Sequence, residues 1–220
     1  MLKLITFLFL SGYAHAVMLT PSNHVLIRGE INESTYGVLK PALLSDDKET
    51  FYVVLDTPGG DVQVGEDIIE ALKTKTNIKT ITIEASSMGS AIVQGLPGER
   101  LMVESGRMMF HEAMGTISGS FGGMLQSRTK HWEERISIIE ERNSKRMGIT
   151  LKDYRTKAKS EIWYTSKSAL GVVADKLITL ECSKELLEKE TTTEINLGFM
   201  TMKQTTSSCP LIKNSTPLMN

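Results

Sequence analysis

The sequence has no excess of charge of either sign. Its 220 residues include 25 Lys and Arg against 26 Asp and Glu, a formal net charge of −1. Proteins that bind nucleic acid through its phosphates need a basic excess, so a nucleic-acid partner is not expected. The chain also has no G-x-x-x-x-G-K-[ST] motif, so a nucleotide-binding loop of that kind is excluded.

Cysteine is scarce, with only Cys182 and Cys209 in the chain. Neither has a Cys or His neighbour at the spacing of zinc ligands, so we expect no metal site and no cofactor. An even number of cysteines in an exported protein favours a disulfide, which would stabilise the fold by about 2–4 kcal/mol. Two independent free thiols are the alternative.

Long apolar runs are also missing. The N-terminal run at residues 4–10 is interrupted by Thr6 and is far shorter than the roughly 20 residues that span a bilayer. Lys3 precedes it, and Ala14-His15-Ala16 follows as a small-x-small cleavage pattern. This order predicts a signal peptide at residues 1–16 and export to the periplasm or the extracellular space. Otherwise the run is a buried first strand or helix of a cytoplasmic protein.

The remaining chain favours one α/β domain at residues 17–180. Residues 50–56, "TFYVVLD", form a continuous β-branched and aromatic run, typical of a strand buried on both faces of a parallel sheet. Further strands are predicted at residues 24–31 and 78–83. Val64, Ile68 and Leu72 recur every fourth residue, which predicts an amphipathic helix between strands. This alternation of strands and helices indicates βαβ units.

The second half is predicted in less detail. Residues 99–105 and 107–111 are expected to form two short strands. A loop rich in Gly and Ser then leads to a long amphipathic helix at about residues 124–147. A short helix and a last strand are expected before residue 181. The polar segment 181–220 is predicted to be a tail, partly ordered at best unless the cysteines hold it.

The stretch "EASSMGSA" at residues 84–91 follows a predicted strand and begins a predicted helix. A serine at such a turn is exposed beside the N–H groups of the helix N-terminus, and these donors can form an oxyanion hole. Ser87 is therefore a candidate nucleophile, and it needs a general base. His111 follows a later strand that can end at the same edge of the sheet. The alternatives are a helix N-cap for Ser87 and a structural role for His111.

The other histidines are weaker candidates for the base. His15 belongs to the predicted leader, and His24 opens the first strand of the domain. His131 lies beside Trp132 on a charged face of the long helix, where solvation is expected.

Four segments resemble the family of Clp protease proteolytic subunits (ClpP): "LDTPGGDV" at 55–62, "ASSMGSA" at 85–91, "GRMMFHEAMG" at 106–115 and "EIWYTSKSAL" at 161–170. The resemblance extends from about residue 25 to residue 180. It implies the ClpP/crotonase-like fold of repeated ββα units, with a parallel sheet and a protruding handle helix.

The resemblance also implies site residues. It makes Ser87 the nucleophile and His111 the general base of a serine endopeptidase. The backbone amides of Gly60 and Met88 correspond to the oxyanion donors, and Gly59 shapes the turn that presents them.

The third member of the triad departs from the family. Where the family has Asp two positions before an aromatic residue, this chain has Glu161 before Trp163. Glutamate replaces aspartate in some triads, so Glu161 is the first candidate to orient His111. Asp153 and Asp175 are the alternatives.

Further implications concern partners. The Gly-rich loop and long helix resemble the handle through which rings of family members meet, so a homo-oligomeric ring is expected. The family's N-terminal axial segment has no counterpart between residues 17 and 23. This difference and the predicted export argue against contact with a Clp ATPase. The expected substrates are peptides or unfolded protein segments, and "HEA" in place of the family's "HQP" predicts a different substrate groove.

Three other functions remain open at this point. The chain can be an inactive scaffold subunit that keeps the fold but has lost the third triad position. It can be a Ser–Lys protease of the same superfamily, with Lys130 or another helix lysine as the base. A crotonase-type acyl-CoA enzyme shares the layout but does not account for the Ser-Met-Gly and Met-x-His segments.

Overall fold

The protein is described here by a computed structural model that covers residues 15–46, 48–120, 122–196 and 201–212. The predicted leader therefore lies outside the described residues, apart from His15 and Ala16. These two residues begin the first strand, so cleavage after Ala16 would fall inside that strand.

A parallel sheet of seven strands forms the centre of the fold, as the sequence predicted. Its strands are β1 (His15–Leu19), β2 (His24–Arg28), β3 (Phe51–Thr57), β4 (Ile78–Ser86), β5 (Arg100–Phe110), β6 (Ile162–Thr165) and β7 (Lys176–Cys182). The spatial order is β1-β7-β5-β4-β3-β2, with all neighbours parallel. Only β6, which pairs with β5, is antiparallel.

Helices connect these strands. They are α1 (Tyr36–Leu44, after a 3-10 turn at Glu33–Thr35), α2 (Val62–Leu72), α3 (Met88–Gly95), α4 (Gly123–Met147), α5 (Leu151–Ala158), α6 (Ser166–Ala169) and α7 (Lys184–Glu188). The start of α2 is capped by Asp61, whose carboxylate accepts a hydrogen bond from the Val64 N–H at 2.9 Å. Pro41 lies inside α1, which ends three residues later.

Both faces of the sheet are buried. In β3, Val53 and Leu55 belong to the larger core, which includes α1, α2, α3 and α5, whereas Val54 belongs to a second core with β1 and β7. Successive side chains of a strand point to opposite faces. The continuous apolar run of β3 is explained by this two-sided burial.

The second half of the sheet differs from prediction at β5 and at β6 (Ile162–Thr165), which lies where a short helix was expected. The two short strands expected at residues 99–105 and 107–111 are one strand, β5, and Gly106 lies within it. Residues 101–103 pair with β7 and residues 107–110 pair with β6. Because β5 changes partner along its length, its hydrogen bonding continues past the glycine.

The long helix α4 is buried only near its C-terminal end. Ile139, Asn143, Ser144 and Met147 are buried, while residues 123–138 include no buried residue. Ile138 is 60% exposed. The N-terminal half of α4 therefore protrudes from the domain, as a handle helix does.

The segment predicted to be a polar tail contains regular structure. It includes α7 and an antiparallel hairpin of β8 (Glu190–Asn196) and β9 (Thr201–Ser207). A disulfide joins Cys182 at the end of β7 to Cys209, with their Cα atoms 5.9 Å apart. Arg28 then donates to the Pro210 carbonyl at 2.6 Å. These contacts attach the segment to the sheet.

Over the described ranges, no helix combines the length and apolar character needed to cross a membrane.

Candidate active site

Ser87 occupies the turn between β4 and α3. Its backbone has φ 53°, a left-handed conformation that is uncommon and strained for a residue other than glycine. The turn is held from both sides. The Ser87 N–H donates to the Met109 carbonyl of β5 at 2.9 Å, and the Ser87 carbonyl accepts from Ser90 and Ala91 at the start of α3. The hydroxyl is thus presented at the carboxyl edge of the sheet.

The structure brings His111 to this hydroxyl. His111 directly follows β5, whose Met109 is in register with Ser86 of β4. Since the two strands are parallel neighbours, the residues after them leave the sheet at the same edge. His111 Nε2 lies 2.8 Å from Ser87 Oγ, within reach for proton transfer.

A glycine pair lies against the nucleophile. Gly59 has φ 104°, and a Cβ added to it would come within 2.6 Å of the Ser87 Cβ. Gly60 has φ 147°, and a Cβ added to it would come within 2.3 Å of the Ile31 carbonyl oxygen. Only residues without a side chain fit at such distances. The Gly59 carbonyl accepts from the Ile31 N–H at 2.8 Å, which holds this loop in place.

Two backbone amides at the site have no acceptor among the described residues. Within the described ranges, neither the Gly60 N–H nor the Met88 N–H donates to a protein acceptor. Met88 is the first residue of α3, where helix N–H groups are unsatisfied. Both residues line the cavity that also contains Ser87 and His111. This arrangement offers two donors for a developing oxyanion.

Among the described residues, no carboxylate makes a hydrogen bond with His111. Glu161, with φ 62°, directs its Oε2 to the indole Nε1 of Trp163 at 2.9 Å. No described residue makes a hydrogen bond with His111 Nδ1, and among the described residues Ser87 is the side-chain partner of the imidazole. The role of Glu161 in a triad stays a prediction from the sequence.

The alternative carboxylates are engaged elsewhere. Asp153 accepts from the Thr150 hydroxyl at 2.8 Å, at the start of α5. Asp175 binds Arg100 through both carboxylate oxygens. Burial opposes ionisation of Asp175, but its hydrogen bonds from Arg100 lower the pKa below the ordinary value. Both aspartates have structural partners.

The remaining candidates for the general base contact residues other than Ser87. Lys130 has a side chain that is 78% exposed and lies 3.9 Å from Glu134. His24 is buried, its Nδ1 is 2.7 Å from the Thr20 carbonyl oxygen, and burial lowers its pKa. His131 is exposed and contacts the Trp132 ring edge-on.

Two adjoining cavities lie at or beside the Ser–His pair. The first, the Ser87 cavity, has a volume of about 270 Å³ and lies between α3, the C-terminal half of α4 and α5. The second, the outer groove, has a volume of about 740 Å³ and runs between residues 112–117 and α4. In the part of the chain that the structure describes, no group of His, Cys, Asp and Glu side chains could hold a metal ion.

Sequence analysis missed the helix residues that line the Ser87 cavity. Ile136, Ile139 and Asn143 lie on one side of α4 and face the site. Their spacing of three and four residues marks one helix face, which was a usable signal. Tyr154 on α5 completes this wall, and no short motif marks it.

The site and the fold together define a class. A hydroxyl paired with an imidazole, beside unpaired backbone amides at the edge of a parallel sheet, is the arrangement used in acyl-transfer hydrolases. The chain belongs to the Clp protease family, whose model, described as "Clp protease", matches residues 11–179. This match confirms the resemblance seen in the sequence motifs.

Curated relatives support the same assignment. The chain is 26% identical over 158 residues to the "ATP-dependent Clp protease proteolytic subunit" of Streptococcus pyogenes serotype M5 (strain Manfredo). It is equally similar to the subunit of the same name from Streptococcus equi subsp. equi (strain 4047). Each comparison covers 67% of this chain and 79% of the relative. Membership of this family supports a protease of the ClpP type.

Proposed function

We propose that the protein is a serine endopeptidase in which Ser87 is the nucleophile and His111 the general base. The observation that carries the proposal is the 2.8 Å distance between Ser87 Oγ and His111 Nε2. The strained backbone of Ser87 and the two unpaired amides beside it support the same chemistry.

The proposed reaction has two halves. His111 Nε2 takes the Ser87 hydroxyl proton as Oγ attacks the peptide carbonyl, and the Gly60 and Met88 amides bind the oxyanion. The imidazolium then donates its proton to the leaving amine, and the acyl-enzyme remains. Water, deprotonated by His111, hydrolyses the ester and restores Ser87. The bonds and protons of this reaction balance without a cofactor.

The proposed substrates are peptides and unfolded protein segments. The outer groove runs beside residues 112–117, which have no regular secondary structure, and continues from the region of Gly60. An extended chain in this groove would pass Gly60, one of the two proposed oxyanion donors. A folded domain does not offer such a chain, so flexible segments are the proposed targets.

We further propose a homo-oligomeric ring that works without an ATPase. The protruding half of α4 offers an exposed surface for contact between copies, with Ile138 and Met124 exposed on it. The leader predicted at residues 1–16 would place the protein outside the cytoplasm, where no ATP-driven unfoldase is expected. Light scattering for the assembly and N-terminal sequencing of the exported protein test these two points.

The experiment on the central proposal compares wild type with Ser87→Ala. Wild type is expected to cleave short fluorogenic peptides and unfolded casein without ATP, and to take a fluorophosphonate label. Ser87→Ala should lose both, and His111→Ala should lose most of the labelling rate. A wild-type protein that neither cleaves nor takes the label would contradict the proposal.

The second candidate is an inactive scaffold subunit. The observation that favours it is the position of Glu161, whose carboxylate contacts Trp163 rather than His111. A protein of this kind would assemble through α4 but would not label at Ser87. The labelling experiment therefore separates the two candidates.

A further inference from the structure

Arg28 joins the ends of two strands to the C-terminal segment, residues 208–212. It is the last residue of β2 and is in register with Asp56 of β3. Its Nε donates to Asp56 Oδ2 at 3.1 Å, and its Nη2 donates to the Pro210 carbonyl at 2.6 Å. Its Nη1 lies 3.5 Å from the Ile212 carbonyl oxygen. Each nitrogen of the guanidinium therefore has an acceptor in β3 or in the C-terminal segment.

Asp56 needs a cationic partner because it lies beside an apolar face. It is 9% exposed and stands two positions after Val54, which belongs to the second core. Alternate residues of a strand share a face, so the carboxylate borders that core. A buried carboxylate is unfavourable unless it is paired and hydrogen-bonded. Arg28 supplies the pairing, and the carbonyls of the C-terminal segment hold its guanidinium in place.

The disulfide fixes the C-terminal segment on this face of the sheet. Cys209 is 1% exposed and belongs to the second core. Its bond to Cys182 attaches the segment to the end of β7. Pro210 directly follows Cys209 in the chain, so the disulfide sets the position of the carbonyl that Arg28 binds.

The two strand ends that Arg28 joins continue into the site. Residues 57–61, the oxyanion loop, contain the proposed oxyanion donor Gly60, and residues 29–31 hold this loop at both ends. The bonds are those from the Thr57 hydroxyl to the Gly29 carbonyl (2.6 Å), from the Ile31 N–H to the Gly59 carbonyl (2.8 Å) and from the Asp61 N–H to the Ile31 carbonyl (2.9 Å). A shift of residues 29–31 would therefore move the Gly60 N–H relative to Ser87.

We propose that Arg28 is a positioning residue for the oxyanion loop, through which peptidase activity depends on the disulfide between Cys182 and Cys209. The inference rests on the proposed peptidase function. With the disulfide intact, the C-terminal segment holds Arg28 against Asp56 and fixes the ends of β2 and β3. Without it the guanidinium loses its carbonyl acceptors, and residues 29–31 hold the oxyanion loop less firmly. A misplacement of about 1 Å at a site can lower the rate about 100-fold.

The first test compares kcat and KM for a fluorogenic peptide in oxidised wild type and Arg28→Met, per site titrated with the fluorophosphonate label. Methionine keeps an unbranched apolar stem and removes the guanidinium. The substitution should lower kcat at least about tenfold. KM should change less than about threefold, because an oxyanion donor acts on the transition state rather than on substrate binding. A kcat within about twofold of wild type would overturn the proposal.

Lys79→Met is the matched control for the loss of an ion pair. Lys79 donates to Glu99 at 2.7 Å with a side chain that is 34% exposed. It lies at the start of β4, whereas Ser87 follows the end of that strand. The variant removes the cationic partner of a carboxylate far from the oxyanion loop, so kcat should not change. If Lys79→Met lowers kcat as Arg28→Met does, the effect is not one of position and the proposal is wrong.

The second test breaks the disulfide in all three proteins. A dithiol reductant supplies two electrons and two protons, the bond between Cys182 and Cys209 becomes two thiols, and the reductant becomes a disulfide; alkylation and mass spectrometry verify the product. Reduction should lower kcat at least about fivefold in wild type and in Lys79→Met but not further in Arg28→Met, because members of one network are not additive. An unchanged kcat in reduced wild type, or an equal loss in Arg28→Met, would overturn the proposal.

Hydrogen exchange reports on the same coupling without hydrolysis. The amides of Ile31 and Asp61 donate the backbone bonds that hold the oxyanion loop. Reduction of wild type should speed their exchange at least about fivefold, and Arg28→Met should show the faster exchange in both redox states. Unchanged exchange on reduction would overturn the coupling. If wild type cleaves nothing while exchange responds in this way, the proposed hydrolysis is contradicted and the positioning by Arg28 stands.

Discussion

Replacing Glu161 by glutamine removes one carboxylate charge and keeps the size of the side chain. Glu161 Oε2 accepts the Trp163 indole N–H at 2.9 Å, and the amide oxygen of glutamine can accept the same bond. The substitution therefore leaves this contact in place. It tests only whether the negative charge acts on His111.

The structure predicts a small effect. Because Glu161 makes no hydrogen bond to His111, the orientation of the imidazole does not depend on it. A change from a charged to a neutral acceptor at an exposed site alters the free energy by about 1 kcal/mol, so kcat/KM should fall less than about tenfold. Where a carboxylate does orient the histidine of a triad, the equivalent change lowers kcat about 10⁴-fold.

The assay is kcat/KM for a fluorogenic peptide, with Glu112→Gln as the matched control. Glu112 is an exposed carboxylate adjacent to His111 in the chain, so its replacement makes the same change in charge near the imidazole. If Glu161→Gln loses about 10³-fold or more while Glu112→Gln does not, Glu161 contacts His111 during the reaction. The triad predicted from the sequence would then be correct, and our argument from the Trp163 contact would be refuted.

Three further predictions concern the loop, the disulfide and the acid limit of stability. Gly59→Ala adds a Cβ within 2.6 Å of the Ser87 Cβ, at a position with φ 104°. The kcat/KM should therefore fall at least about 100-fold, and backbone strain of about 1–3 kcal/mol should lower the Tm. Wild-type kinetics in this variant would contradict the prediction. Cys182→Ser removes the disulfide to Cys209 and should lower the free energy of unfolding in urea by about 2–4 kcal/mol. Reductant should lower the free energy of unfolding of wild type by the same amount and should not change that of the variant. The folded-state pKa of Asp175 lies below its ordinary value because Arg100 binds the carboxylate, which outweighs the opposing effect of burial. The contribution of this ion pair to stability is therefore complete above about pH 4 and is lost as pH falls through the folded pKa. The Tm difference between wild type and Asp175→Asn should therefore shrink only below about pH 4, and a difference independent of pH would be the contrary result.

The parallel sheet was predictable because its signals are local. The run of β3 is apolar at every position since Val53 and Val54 are buried on opposite faces, and the periodicity of α2 marks one buried face. The continuity of β5 was not predictable. It depends on hydrogen bonds to β6 and β7 on either side of Gly106, and these bonds exist only once the sheet has formed.

The candidate site also has residues that could be predicted from the sequence and residues that could not. Ser87 and His111 were predictable as a pair because each ends a strand and parallel strands end at one edge. The position of Glu161 was not, because the choice between His111 and Trp163 is a matter of side-chain conformation. The part of the cavity wall that α4 supplies was missed because it forms only when α4 lies against α3.

The Ser–His pair and the polar wall of the cavity depend on different elements of the fold. The Ser–His pair depends on the register of β4 and β5, where Ser87 bonds the Met109 carbonyl and Ser86 pairs with Met109. The polar wall of the cavity depends instead on α4 and α5, which meet through Asn143 and Tyr154. A substitution in that wall leaves the strand register untouched, so it should change which residue is accepted without changing the rate at which a small fluorophosphonate labels Ser87. Reactivity toward a small probe and selectivity toward peptides are therefore separable in this fold, and the two assays report on different elements of it.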